Sequence, residues 1–150
     1  MKRVLKYLLC LIIIAGVLPN KISANNDLIQ EENIYVEIEI GEPVYSEKIG
    51  LYSTTKTVSN YKNYHYKNAE GQILWTVKLT GTFEYNGSTS KCLSASVSVL
   101  NISSGWKLFT KKASTSGNQA KASVIMREIS TMSLYPYTIT LSCSPTGTFY

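Results

Sequence analysis

The strict alternation of apolar and polar residues over positions 73–85, ILWTVKLTGTFEY, constrains the fold of this chain most strongly. A period of two is that of a β-strand with one buried face. Asn86-Gly87 follows directly, and this dipeptide accepts the positive φ angles of a tight hairpin turn. The segment therefore predicts a long strand that turns back into SKCLSASVSVLNI. Gly81 in its middle predicts a bulge or a bend.

The same pattern continues along the chain. Turn-forming residues at 103–105 and 116–118 separate WKLFTKK from QAKASVIMRE, and the segments YVEIEI and YTITLSC read as further strands. No window outside the N-terminal segment has helical spacing. About seven strands, with turn signals roughly every ten residues, predict an all-β fold. We expect an antiparallel β-sandwich of immunoglobulin-like or similar type, with a barrel as the weaker alternative.

Residues 1–24 have the layout of a secretory signal peptide. Basic residues precede an apolar run over 7–18, and a polar stretch then ends at Ala24. The run of about twelve residues is shorter than the roughly 20 that span a bilayer, which favours a cleaved signal over a membrane anchor. We expect cleavage after Ala24, with Cys10 lost in the process.

Removing residues 1–24 changes the charge. The net formal charge falls from +5 to +1, because this segment holds four of the 15 basic residues and none of the ten acidic ones. Residues 25–50 form an acidic segment with one predicted strand, and residues 51–150 form the sandwich body, together one domain. The body holds ten basic and three acidic residues. Its basic residues are scattered singly instead of clustered as in a nucleic-acid footprint. We expect the acidic segment to lie against this basic body, and binding of an anionic surface such as a cell wall is the alternative.

Two cysteines remain after cleavage, Cys92 and Cys143. An even pair in an exported protein predicts a disulfide. Closing a loop of about fifty residues would stabilise the fold by roughly 4 kcal/mol. Cys143 is in phase with the apolar face of its strand, whereas Cys92 is out of phase with Leu93. Either a bulge separates Cys92 from Leu93, or the disulfide lies at the edge of the sheet.

Several segments of the body resemble a known group of proteins. They are WTVKLTGTFEYNGSTSKC at 75–92, the pair Trp106-Lys107, SGNQA at 116–120 and LSCSPTG at 141–147. Together they resemble small secreted proteins of unknown function from Gram-positive bacteria, in which a short signal precedes a β-rich domain with one cysteine pair. The resemblance covers residues 71–149. It implies a fold and a location, and it transfers no catalytic residue.

The titratable residues do not form a recognisable catalytic set. His65 is the only histidine, and the nucleophile-elbow sequence G-x-S-x-G is absent. Glu37 and Glu39 lie on one face of a strand about 7 Å apart, a separation not far from that in glycosidases. They look equivalent, however, whereas acid–base catalysis needs one carboxyl in a distinct environment. We expect a solvated outer face here, and no catalytic residue, cofactor or metal site.

Two tryptophans are candidates for sugar stacking, Trp75 and Trp106. Trp75 is in phase with the apolar residues of its strand, and Trp106 directly follows a turn. Both positions favour core anchors over ligand platforms.

The stretch YKNYHYKN at 61–68 holds three tyrosines and two lysines. In an extended chain, Tyr64 and Tyr66 project from one face about 6–7 Å apart, which suits a glycan or a partner's aromatic surface. Two interpretations remain open. Tyr61, Lys62, Tyr64, Tyr66 and Lys67 form a ligand surface, or the tyrosines serve cross-strand packing at the rim of the sandwich.

These patterns favour a secreted, non-catalytic binding or interaction module that acts at or near the bacterial cell surface. The expected partner is a cell-wall glycan or a surface protein, without nucleic acid and without stable membrane insertion after cleavage. A secreted antibacterial or membrane-active polypeptide is the alternative, because the body is small and basic. A hydrolase is a third, weaker hypothesis.

Overall fold

A computed structural model of the chain describes residues 34–46 and 55–150. The predicted signal peptide at 1–24 and part of the acidic segment lie outside these residues. The described part contains strands and no helix, which confirms the all-β prediction. The strands are β1 Tyr35–Ile40, β2 Val44–Ser46, β3 Lys56–Lys67, β4 Ile73–Tyr85, β5 Ser90–Leu100, β6 Trp106–Ser116, β7 Gln119–Glu128 and β8 Leu134–Ser142.

The strands form two antiparallel sheets, consistent with a β-sandwich. Sheet A has the order β1-β3-β4-β5, and β2 also pairs with β3. Sheet B has the order β6-β7-β8. Pro136 lies within β8, an edge strand among the described residues, where a missing backbone N–H is tolerated.

The core lies between the sheets and contains a cluster of aromatic rings. Trp75 of sheet A contacts Trp106 of sheet B, with ring centroids 4.4 Å apart. The buried aliphatic residues of β4 and β7 complete the core, as their alternation predicts. Both tryptophans are therefore core residues, as the sequence indicated.

The β4–β5 hairpin forms where it was predicted, through a loop that begins with Asn86-Gly87. The Asn86 side-chain oxygen accepts hydrogen bonds from the backbone N–H groups of Ser88 and Thr89. Gly87 has a φ of 90°, a value that glycine adopts without strain. The Asx-type hydrogen bonds of Asn86 therefore shape this loop.

Gly81 is not at a bulge, one of the two features predicted for it. It pairs regularly with Ala95 of β5. A Cβ atom at position 81 would lie 2.5 Å from the ring of Phe83 and 3.0 Å from the Cβ of Ala120 in sheet B. Glycine is needed here because the two sheets approach closely. Close approach, like a bulge, is a common reason for glycine within a strand.

The bulge lies instead on β5, at Leu93. Cys92 pairs with Phe83 and Ser94 pairs with Thr82, so Leu93 is an extra residue without a partner. It is 44% exposed, whereas Cys92 is buried. A bulge therefore does separate the positions of Cys92 and Leu93, which was the first of the two alternatives. The alternation of β5 placed Leu93 on the core face, but Leu93 is exposed.

Candidate binding surface

Tyr64 and Tyr66 of the predicted ligand surface lie in the core, 8% and 2% exposed. The Tyr64 hydroxyl donates a hydrogen bond of 2.6 Å to the carbonyl oxygen of Thr140 in sheet B. The Tyr66 ring stacks on Trp75 at 5.0 Å and contacts Tyr137 at 4.4 Å. Of the two interpretations of this stretch, packing therefore applies to Tyr64 and Tyr66, and the ligand-surface interpretation does not, because this part of the core is built from aromatic instead of aliphatic side chains.

The other three residues of that predicted surface do not share one face. Lys67 lies on the outer face of sheet A, in an ion pair with Glu37. Tyr61 lies on the same face, with the Lys78 amino group 4.0 Å from its ring centroid. Lys62 has the register of the inner face, and its amino group lies 5.3 Å from the Tyr64 ring. The five residues therefore do not form a single ligand site.

Glu37 and Glu39 belong to a hydrogen-bonded ladder on the outer face of sheet A. The Glu39 carboxylate accepts a hydrogen bond of 3.0 Å from the Asn63 amide and lies 3.4 Å from the His65 ring. Hydrogen bonding to Lys67 lowers the pKa of Glu37, and hydrogen bonds from Asn63 and His65 lower the pKa of Glu39. Neither carboxyl has the raised pKa of a general acid, so the ladder serves as a solvated outer face.

The inner face of β1 is apolar yet uncovered. Val36, Ile38 and Ile40 pair with β3 residues that face the core, but all three are exposed. Sheet A has two more strands than sheet B, and no described residue packs over this edge closely enough to bury them. The apolar alternation of β1 is thus real, although the described part of the fold does not bury it.

The two cysteines lie beside the same turn, between β6 and β7. The Cys92 N–H donates a hydrogen bond of 2.8 Å to the carbonyl oxygen of Gly117, and the Cys143 N–H donates one of 3.1 Å to that of Asn118. Both thiols are free and buried in this structure. Burial raises the pKa of each thiol, and the neighbouring Cys92 raises that of Cys143 further. The two cysteines that the sequence predicts to form a disulfide are therefore also near the same turn in the fold.

Buried phenols and thiols predict lower stability in alkali. Burial raises the pKa of Tyr137 to about 12 and also raises the pKa of Tyr66. The unfolded chain ionises near the ordinary values, about 8.5 for cysteine and about 10 for tyrosine. It therefore binds fewer protons than the native state at high pH, and the free energy of unfolding falls as pH rises past about 8.

Urea denaturation of the reduced protein at about pH 7 and about pH 10.5 measures this effect, with a lower midpoint expected at the higher pH. A Tyr66→Phe/Tyr137→Phe variant is the control and should show a smaller drop. Equal midpoints at both pH values for the parent protein would contradict the burial of these groups.

The outer face of sheet B collects basic side chains. Residues paired in an antiparallel sheet share a face, and the buried residues of β7 alternate with residues that point away from the core. This outward set contains four basic residues and no acidic one among the described residues. We call it the basic face, and its cations are Lys107, Lys112, Lys121 and Arg127.

The cations of the basic face have no described carboxylate partner. Lys107 lies directly opposite Arg127, whereas Lys112 and Lys121 each lie opposite a serine. Glu128 follows Arg127 in the chain, but its carboxylate accepts hydrogen bonds from Thr131 and Ser130, which lower its pKa. Sheet A differs, since its outer face pairs lysines with glutamates. Four of the body's surplus of seven positive charges, ten basic minus three acidic residues, therefore lie on this face.

The sequence alone did not predict that these cations share a face, because a bulge in β6 changes which residues point outward. Lys107 and Lys112 are five positions apart, so strict alternation assigns them to opposite faces. Phe109 is an extra residue between the pairs formed by Leu108 and Thr110, and it shifts the phase. The bulge thereby places both lysines on the outer face, and no sequence signal marked it.

No helix in residues 34–46 or 55–150 is long and apolar enough to cross a membrane. Within the same ranges, no three histidine, cysteine, aspartate or glutamate side chains come together as a metal site. Comparison with protein-family models, with curated proteins and with solved structures found no match.

Proposed function

We propose that this chain is a secreted, non-catalytic binding module that acts at or near the cell surface, where its basic face binds an anionic polymer. One observation carries the proposal: the basic face has four cations and no described carboxylate. Each cation near an anionic surface contributes about 1 kcal/mol of attraction. An anionic cell-wall glycan fits this face better than it fits the buried tyrosines.

The proposal includes export by the signal peptide at 1–24 and an immunoglobulin-like or related sandwich. It also includes a disulfide between Cys92 and Cys143, which lie beside one turn. The two thiols lose two protons and pass two electrons to a disulfide oxidant of the extracellular side. Such a bridge would join sheet A to the end of β8 and suits a protein that leaves the cell.

A pull-down with isolated cell walls tests the proposal. The mature oxidised protein is compared with a basic-face variant, Lys107→Gln/Lys112→Gln/Lys121→Gln/Arg127→Gln. Loss of four attractive charges is expected to weaken binding at least about a hundredfold. The logarithmic salt dependence of the affinity should also become shallower, because fewer counterions are released.

The charge-matched control replaces four lysines outside the basic face: Lys56, Lys62, Lys78 and Lys91. This control should retain most of the binding. Equal losses in both variants would mean that net charge alone drives binding, which would overturn the assignment to the basic face. Binding to anionic vesicles without binding to walls would favour the membrane-active alternative instead.

A further inference from the structure

The bulge on β6 exposes an aromatic ring in the strand that carries Lys107 and Lys112 of the basic face. Of the three phenylalanines, Phe83 is buried and Phe149 packs against it at 5.4 Å. Phe109 has no cross-strand partner and is 56% exposed. β-bulges often re-aim a side chain beside a functional site. This ring is thus available to a ligand that lies along β6.

Lys107 lies two residues before Phe109 and faces a second cation. Lys107 and Arg127 are directly opposite each other, an arrangement that destabilises a sheet. The Arg127 Nε atom is buried and has no hydrogen-bond partner among the described residues. An anion between the two side chains would replace the repulsion with charge-assisted hydrogen bonds, and the guanidinium group suits phosphate and carboxylate geometry.

Hydroxyl groups lie along the rest of the basic face. Thr110 follows Phe109 on the outer face, and Ser114 and Ser123 lie opposite Lys121 and Lys112. Hydroxyl side chains both donate and accept hydrogen bonds, as the hydroxyls of a sugar do. A single ring suits one stacked sugar, whereas proteins that bind single-stranded nucleic acid stack successive bases on several rings.

We infer that Phe109, Lys107 and Arg127 form a subsite for one acidic sugar unit of a glycan. The sugar ring stacks on Phe109, and its phosphate or carboxylate group binds between Lys107 and Arg127. This inference rests on the proposed function and adds the ligand class, an anionic glycan as opposed to any polyanion.

The test compares Phe109→Ser with Leu93→Ser, since both residues are exposed apolar side chains at a β-bulge, one in each sheet. The probes are polygalacturonate, a phosphate-bearing mannan, and polyphosphate, which has charge but no sugar. Phe109→Ser should weaken binding to at least one glycan about tenfold, as removal of a stacking ring does. Its binding to polyphosphate should stay within about twofold of the parent, and Leu93→Ser should change neither.

The outcomes separate this inference from the proposed function. Parent-like glycan binding by Phe109→Ser, or an equal loss on polyphosphate, would overturn the sugar subsite while leaving the basic face in place. Failure of the parent protein to bind any of these polymers or cell walls would overturn both. The two glycans distinguish carboxylate from phosphate as the bound group. Vesicles of anionic lipid are a further probe. If Phe109→Ser weakened binding to these vesicles alone, the ring would contact a membrane, which would overturn the glycan as ligand.

Discussion

Tyr66→Ala is expected to lower the free energy of unfolding by about 3–5 kcal/mol, the usual cost of truncating a large buried aromatic side chain. Tyr66 is 2% exposed, and its ring contacts Trp75 and Tyr137. Truncation would therefore leave a cavity between the two sheets, where both neighbours lose contacts. Urea denaturation followed by circular dichroism measures the loss.

The matched control is Tyr45→Ala, because Tyr45 is 58% exposed. Substitution of so exposed a residue should change the free energy of unfolding by about 0.5 kcal/mol or less. If both variants were equally stable, the position of Tyr66 in the core would be wrong.

This expectation also limits how the tyrosine cluster can be tested for binding. A Tyr64→Ala/Tyr66→Ala double variant would lose binding through unfolding, whatever the ligand site. Tyr64→Phe keeps the buried ring and removes only the hydrogen bond to Thr140. It should cost about 1 kcal/mol, plus the penalty for any carbonyl left unpaired.

Oxidation of Cys92 and Cys143 to a disulfide is expected to raise the free energy of unfolding by roughly 4 kcal/mol, since the bridge closes a loop of about fifty residues. The gain arises mainly because the link restricts the unfolded chain. Both cysteines are buried beside one turn, so the folded state already brings them near each other. Urea midpoints with and without reductant measure the difference, and intact mass shows the loss of two hydrogen atoms.

A Cys92→Ser/Cys143→Ser variant is the control for the disulfide and should be insensitive to reductant. Two titratable thiols in protein unfolded after oxidation would show that no bridge forms. Coincident midpoints, together with no titratable thiol in the oxidised protein, would show that a bridge forms without stabilising the fold.

Part of the fold was predictable residue by residue. β1 and β7 have the bounds of their predicted segments, and β4 spans the whole alternating run over 73–85. The phase conflict between Cys92 and Leu93 also indicated a bulge as one of two alternatives, and the bulge is present. These predictions succeeded because alternation and turn residues act locally, within one strand or one hairpin.

The candidate site was predicted less well. The least aliphatic aromatic stretch allowed both a ligand surface and cross-strand packing, and Tyr64 and Tyr66 pack in the core. Burial of a strand face depends on what the other sheet places over it. The sequence of β3 contains no information about Thr140 or Tyr137 of β8, which cover these two rings.

The amino-acid sequence by itself determined the all-β class and the main strands and hairpins, whereas the disulfide between Cys92 and Cys143 stays a prediction. Only the tertiary structure decided which faces are covered and where the charges gather. Val36, Ile38 and Ile40 alternate like core residues but extend beyond sheet B. Lys107 and Lys112 share the basic face only because the bulge at Phe109 shifts the phase of β6. Both outcomes depend on cross-strand pairing, which joins residues far apart in the chain and therefore leaves no local pattern.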